Sequence, residues 1–263
     1  MSKKYEFPKS MNNVPTHYCG GCGHGIVHKL IAQVIDEMNL QSDVLLVAPV
    51  GCAVYAYNYL NVDSCEAAHG RAPAVATGMK RVHPDKVVIS YQGDGDLLAI
   101  GTAETVHAAN RGENITVIFI NNAIYGMTGG QMAPTSLVGQ VTQTTPNGRN
   151  AEEVGYPIRA CELINTLVEP KYIERCAVYD VKHINQAKAA IKKALTYQKE
   201  GKGYSFVEIL SMCPTNWGVD AVTAADWVKE AMEPYYPLGV FRDVPAGNIP
   251  EAAAPTAGVV NKA

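Results

Sequence analysis

Short apolar runs alternate with amphipathic stretches along the chain. Val44-Leu45-Leu46-Val47-Ala48, the run from Lys86 to Tyr91, the run from Ile115 to Ile120, and Tyr204, Phe206, Val207, Ile209 and Leu210 carry few polar positions. Runs of this length and content read as strands buried on both faces. Ile26, Val27, Leu30, Ile31, Val34, Ile35 and Met38 instead recur at i, i+3, i+4 and i+7, one face of a helix. Leu97, Leu98, Ile100, Val106 and Ala109 follow roughly the same period, so the chain from Lys86 to Ile120 reads strand, helix, parallel strand. The alternation predicts an α/β fold around a parallel sheet.

The residues that end these runs carry the chemistry. Gly51-Cys52 follows the first, Gly93-Asp94-Gly95-Asp96 the second, Asn121-Asn122 the third and Cys213-Pro214-Thr215 the fourth. In a parallel sheet all of them emerge along one carboxyl edge, where a ligand crevice is expected. Cys19-Gly20-Gly21-Cys22-Gly23-His24 opens the first helix and can reach the same edge. Magnesium takes about six oxygen ligands, a few from protein and the rest from phosphate and water. Asp94 offers a carboxylate, Asn122 an amide oxygen and Ile124 a backbone carbonyl. Gly93 and Gly95 leave room for a diphosphate against the backbone, and a helix starting near Asp96 would aim its positive end at the phosphates. A lone Gly-Asp-Gly is a common turn, but the Asn pair after the next strand turns it into a pattern. Together they resemble the fingerprint of thiamine-diphosphate enzymes, in which the first Asp and second Asn hold the metal.

Cys19, Cys22, Cys52 and Cys213 would meet beside that site. Such a set suits tetrahedral zinc or a 4Fe-4S cubane, with a redox dithiol at Cys19 and Cys22 as a third reading. A cluster can accept electrons from a thiamine reaction and zinc cannot, which favours the cluster. Cys65, Cys161 and Cys176 lack partners at metal spacing and are expected to be small buried hydrophobes.

Composition adds limits. The chain has 263 residues, 47% hydrophobic and 18% charged, enough for one sizeable core. A net charge of -3 with no basic block argues against nucleic acid and anionic membrane as partners. No apolar run approaches the length of about 20 residues needed to cross a bilayer, and a cytoplasmic location is expected. Seven cysteines, an odd number, do not suggest a secreted disulfide framework. The boundaries read as an N-terminal arm over 1–14, one domain over 15–242 and an extended tail over 243–263 rich in Ala, Pro and Gly. The stretch from Ala123 to Asn150 is long, Gly- and Thr-rich and aperiodic, a loop expected to be functional.

The ordered motifs, Cys19 to His24, Gly51-Cys52, His69-Gly70-Arg71, Gly93 to Asp96, Asn121-Asn122, Tyr125 to Gln131 and Cys213 to Thr215, resemble the beta subunit of 2-oxoacid:ferredoxin oxidoreductases. The resemblance spans roughly 15–242. It implies a thiamine-diphosphate-binding domain of the diphosphate type, a parallel sheet with helices on both faces. It also implies a 4Fe-4S cluster on Cys19, Cys22, Cys52 and Cys213, magnesium on Asp94, Asn122 and Ile124, and thiamine contacts from Val50, Gly51, Cys52, Ala53, His69, Gly93, Gly95, Asp96, Gly126 and Met127. The implied reaction is the coenzyme A-dependent oxidative decarboxylation of a 2-oxoacid to acyl-CoA and carbon dioxide, with electrons passing through the cluster to ferredoxin. An activating Glu is expected from an alpha, pyrimidine-side subunit, with gamma and delta subunits completing the enzyme.

Some relatives place a Lys where this chain has Gly129, so carboxylate recognition is expected from Arg71, another basic group or the partner. The Ala48 to Cys52 run, Pro134-Thr135-Ser136 and Tyr236-Pro237-Leu238-Gly239-Val240 look most like the 2-oxoisovalerate branch, with 2-oxoglutarate as the alternative. A non-oxidative thiamine lyase or decarboxylase would share the magnesium fingerprint without needing four cysteines. A simple electron carrier would share the cysteines without the thiamine site.

Overall fold

The computed structural model describes residues 6–244. In chain order the elements are α1 (Gly23–Glu37), β1 (Val44–Ala48), α2 (Ala56–Tyr59), β2 (Asp63–Glu66), α3 (Ala72–Val82), β3 (Val87–Gly93), α4 (Thr102–Asn110), β4 (Thr116–Asn121), α5 (Ala151–Val154), α6 (Ala160–Asn165), β5 (Tyr172–Ala177), α7 (Val181–Lys199), β6 (Ser205–Leu210), α8 (Pro214–Trp217), α9 (Ala221–Trp227), α10 (Glu233–Tyr235) and β7 (Gly239–Asp243). The seven strands form one sheet in the order β2-β1-β3-β4-β6-β5-β7. Neighbours run parallel except β7, which lies antiparallel on β5 with an irregularity between Ile173 and Glu174. The expected parallel sheet therefore carries an antiparallel edge.

Alternation along each central strand divides the core in two. Leu46, Ile89, Tyr91, Ile118, Ile120, Val207 and Ile209 pack with α1 and α7 on one face. Val47, Val88, Val117, Phe119 and Phe206 point the other way, onto α3, α4 and α6. Helices thus cover both faces, and β3, β4 and β6 are buried along nearly their whole length. The four strands that end in the motif residues, β1, β3, β4 and β6, are consecutive in the sheet. Their ends therefore lie side by side, about 5 Å from strand to strand.

Two local expectations change. The helix after the Gly-Asp-Gly turn is broken: Gly95–Ile100 winds as a wider π-helical turn before α4 begins, and Asp94 caps it by accepting from the Gly95 N–H at 2.9 Å. Such turns concentrate at functional sites. The N-terminal arm, set apart at 1–14, is pinned to the domain where it is described: Asp36 accepts from the backbone N–H of Lys9 (2.6 Å) and Ser10 (3.0 Å), and Met11 bridges to Leu60. Residues 245–263, most of the expected tail, lie outside the described residues. Among the described residues no helix is long and apolar enough to cross a membrane.

Candidate cofactor and metal site

A cavity of about 110 Å³ opens at the carboxyl edge of β1, β3 and β4, lined by His24, His69, Val50 to Ala53, Gly93 to Asp96, Asn122 and Ile124 to Thr128. Every residue expected to touch the cofactor or magnesium lines it. A second cavity, about 200 Å³, is lined by Cys19, Cys22, Cys52 and Cys213 together with His17, Tyr18, Pro214, Thr215 and Asn216. Cys52, Asn122, Gly126 and Met127 line both, so the two cavities share a wall. Gly126 keeps that wall thin: a Cβ there would lie 3.0 Å from the Cys52 sulfur and 3.6 Å from that of Cys213.

At the floor of the first cavity the Asn122 amide, the Ile124 carbonyl and an Asp94 oxygen converge. The Asn122 side-chain oxygen faces the Ile124 carbonyl and Asp94 Oδ2, both acceptors, at 2.8 and 3.2 Å. Turning the amide would let its nitrogen donate to both; a cation among the oxygens resolves the conflict equally well. Octahedral magnesium with bonds of 2.0–2.1 Å places adjacent ligand oxygens about 2.9 Å apart, which these separations match. Asp94 is buried and accepts further from Thr135 Oγ1 at 2.7 Å and the Ile124 N–H at 3.3 Å. Burial pushes its carboxyl up to about 6, opposed by those hydrogen bonds. A carboxylate held in this way gains from a cation beside it. Ala123, between Asn122 and Ile124, adopts φ +55°, a left-handed conformation costly for a residue with a Cβ.

Gly95 also meets a packing demand. A Cβ there would lie 1.9 Å from the Tyr125 ring, so the missing side chain seats Tyr125, while Gly93 faces open space. Asp96 Oδ1 meets His69 Nδ1 and the Gly70 N–H, each at 2.7 Å, and its Oδ2 accepts from Gln92 Nε2 at 2.6 Å. Both oxygens are thus engaged, and Asp96 orients His69 toward the cavity. Arg71 is paired with Glu104 and does not line the cavity. It is not placed to recognise a substrate carboxylate there.

The four cysteines are brought together less tightly. Cys19 is exposed, Cys22 and Cys52 are half-buried and Cys213 is buried, all as free thiols. Among the described residues, no three His, Cys, Asp or Glu side chains close on a single-ion site. Burial and then mutual repulsion push Cys52 up to about 12; burial does the same to Cys22 and raises Cys213. Without compensating positive charge these sulfurs stay protonated. Of the other cysteines, Cys161 and Cys176 are buried as expected, but Cys65 is exposed on the edge strand β2.

Several site residues were not singled out in the sequence. His24 lines the cavity with Nδ1 2.7 Å from the Tyr91 hydroxyl, and burial pushes it down to about 3, so the ring is neutral. Its place in the Cys19 to His24 motif was the available signal. Asn216 Nδ2 bonds the Gly126 carbonyl at 3.0 Å and the Cys213 sulfur at 3.4 Å, tying the two cavities together. The long loop is ordered by buried Arg149, which donates to the Ala133, Pro134 and Ser136 carbonyls at 3.3, 3.2 and 2.6 Å. Behind Asp94, the Tyr236 hydroxyl donates to the Thr135 carbonyl at 2.7 Å, so two segments singled out for their resemblance touch each other.

Residues 49–209 match the family described as "Thiamine pyrophosphate enzyme, C-terminal TPP binding domain". The chain is 56% identical over 228 residues to the ketoisovalerate oxidoreductase subunit VorA of Methanothermobacter thermautotrophicus, covering 87% of this chain and 48% of that protein. It thus spans about half the length of that relative. The 2-oxoglutarate synthase subunit KorB of Methanocaldococcus jannaschii is 36% identical over 236 residues, covering 89% of this chain and 83% of that protein. A solved 2-oxoglutarate:ferredoxin oxidoreductase from Magnetococcus marinus, with 2-oxoglutarate, coenzyme A and succinyl-CoA bound, superimposes with a TM-score of 0.73 at 24% identity. That match covers 93% of this chain and 87% of that one and establishes a shared fold.

Proposed function

We propose, from the premise that this chain belongs to the thiamine pyrophosphate-binding subunits of the 2-oxoacid oxidoreductases, that it is the beta subunit of a 2-oxoacid:ferredoxin oxidoreductase. The reaction is the coenzyme A-dependent oxidative decarboxylation of a 2-oxoacid. The observation that carries this reading is the shared wall: an oxygen site fit for a magnesium diphosphate and four cysteines meet at Cys52 and Gly126. A non-oxidative lyase needs only the first, and an electron carrier only the second.

Bound thiamine diphosphate would supply the carbon nucleophile and electron sink for loss of carbon dioxide. The chain's own part is placement and charge. Asp94, Asn122 and the Ile124 carbonyl would hold magnesium against the diphosphate, as their spacing allows. His69, held by Asp96, would present Nε2 to the cofactor. Cys19, Cys22, Cys52 and Cys213 would carry a 4Fe-4S cluster one thin wall away, close enough for one-electron transfer. A lone zinc would draw four sulfurs within about 4 Å of one another, whereas thiols spread around a cavity suit a cubane.

The described residues lining the first cavity bring two carboxylates, Asp94 and Asp96, both already engaged. The Glu that activates thiamine is therefore assigned to an alpha subunit, and ferredoxin and further subunits are expected partners. Free thiols throughout support a cytoplasmic location. Identity of 56% to a ketoisovalerate oxidoreductase subunit, against 36% to a 2-oxoglutarate synthase subunit, favours a branched-chain 2-oxoacid. Anaerobic co-purification with neighbouring subunits, followed by assay with coenzyme A and a ferredoxin-type acceptor, tests this. The highest kcat/KM is expected for 2-oxoisovalerate; preference for 2-oxoglutarate or pyruvate would reject the substrate, and turnover by the chain alone would reject the need for a partner.

A further inference from the structure

The buried charges Arg175 and Glu208 sit on adjacent strands toward the β7 side of the sheet, line neither cavity, and nothing so far gives them a task. Arg175 on β5 and Glu208 on β6 are cross-strand neighbours, each no more than 1% exposed. Arg175 Nε donates to Glu208 Oε2 at 2.8 Å, and Glu208 Oε1 accepts from Asn121 Nδ2, also at 2.8 Å. The other end of the Asn121 amide, Oδ1, accepts from the Ala123 N–H at 3.2 Å. Ala123 is the left-handed residue between the two oxygens, Asn122 and Ile124, that face Asp94. We propose that Arg175, Glu208 and Asn121 form a positioning relay that sets the metal-presenting turn after β4.

The chemistry of each group gives the relay its direction. An ionised carboxylate only accepts, so Asn121 must present its NH₂ to Glu208 and is left with its carbonyl oxygen toward Ala123. Arg175 Nε donates to the other Glu208 oxygen, so both carboxylate oxygens are held as acceptors, one by the guanidinium and one by the Asn121 amide. With the amide fixed, the Asn121 carbonyl oxygen accepts the Ala123 N–H and holds the peptide plane that leads into the left-handed residue. Ser136 Oγ and Gln140 Nε2 hold the same residue from the opposite side, donating to the Ala123 carbonyl at 2.6 and 2.9 Å. Ala123 is thus clamped at both backbone groups, and the clamp fixes where the Asn122 side chain and Ile124 carbonyl point. Arg175 also pairs with Glu162 and donates to the Pro237 carbonyl, contacts that support the C-terminal edge without touching the turn.

This inference rests on the thiamine reading above, and its test keeps the two apart. The full chain, purified with the subunits that accompany it, is titrated with thiamine diphosphate at several MgCl₂ concentrations by calorimetry, for Glu208→Gln, Asn121→Ser, Glu162→Gln and Asp94→Ala. Glu208→Gln and Asn121→Ser are expected to weaken binding about tenfold at low magnesium, the worth of one well-placed hydrogen bond. The deficit should shrink as magnesium saturates. Glu162→Gln, which disturbs the same arginine outside the relay, should bind as wild type even where it lowers the melting temperature. If Glu208→Gln does not fold, Asn121→Ser, which leaves the Arg175–Glu208 pair intact, decides alone. Wild-type affinity in the folded relay variants alongside lost affinity in Asp94→Ala would overturn the relay, as would an equal deficit in Glu162→Gln. Wild-type affinity in Asp94→Ala would overturn the thiamine reading and the relay with it.

Discussion

The two cavities share a wall but are built differently. The oxygen site is preorganised: Asp94 is fixed by Thr135, Gly95 and Ile124, and Asn122 and the Ile124 carbonyl flank a clamped left-handed turn. The cysteine site is spread from exposed Cys19 to buried Cys213 around a cavity, with burial raising the Cys22 and Cys52 thiols. The difference follows ligand chemistry. Magnesium forms weak, geometrically strict bonds to neutral and singly charged oxygens, so the fold must hold them in place. Cysteine thiols give up a proton on binding iron and hold the metal strongly as thiolates, so a cluster would itself gather them. The first site is expected to persist without its ligand and the second to be completed by it.

That contrast can be broken in several ways. The largest effect is expected for Cys52→Ser or Cys213→Ser, each of which should abolish stoichiometric iron and sulfide in anaerobically purified protein; a full cluster content would remove that cysteine from the ligand set. Asp94→Ala should weaken magnesium-dependent thiamine diphosphate binding by at least about a hundredfold, roughly 3 kcal/mol. Its circular dichroism should be unchanged and its ligand-free melting temperature at pH 8 no lower, because the desolvation cost of a buried charge has gone. Gly95→Ala drives a methyl into the Tyr125 ring and should cost about 1–3 kcal/mol of stability, read by chemical denaturation. A compensating Tyr125→Leu that fails to restore it would show that the glycine serves something other than ring packing.

The smallest effect is a pH dependence. Burial raises Asp94 from 3.8 to about 6 in the ligand-free protein, so the folded state holds this proton more tightly than the unfolded chain. The resulting stability is fully present below pH 3.8 and is lost as pH rises through about 6. Cofactor binding should run the other way, since a cation selects the ionised carboxyl. Apparent affinity should fall up to about tenfold per pH unit below 6 and level off above it. Calorimetry in buffers of different ionisation enthalpy would count the released proton, and a flat profile between pH 5 and 7 would contradict the assignment.

The apolar runs of β1, β3, β4 and β6 and the motif residues at their ends were legible because burial on both faces and turn chemistry are local signals. β5 was not: Tyr172–Ala177 carries Glu174 and Arg175, and partners from other segments, Glu208 and Glu162, make that arginine acceptable in the core. The edge strands β2 and β7 were invisible for a related reason, being mostly exposed and defined by pairing instead of hydropathy. At the site, residue types were readable but their division of labour was not. Whether Asp96 meets a cofactor or a histidine, and whether Gly95 clears space for a phosphate or for Tyr125, depends on side chains from other segments. Thr135 was visible only as part of a resemblance, and its hydrogen bond to Asp94 gives that resemblance a physical basis.

The central claim is that the oxygen site and the cysteine site work as one redox centre across the Cys52–Gly126 wall. The most direct test mixes the anaerobically purified native complex with 2-oxoisovalerate, without ferredoxin, and records freeze-quenched electron paramagnetic resonance. The account predicts a reduced 4Fe-4S signal that appears on substrate addition, requires magnesium and thiamine diphosphate, and is missing in Asp94→Ala although its iron content is normal. A cluster that stays oxidised when the wild-type complex has released carbon dioxide, or zinc in place of iron, would contradict it.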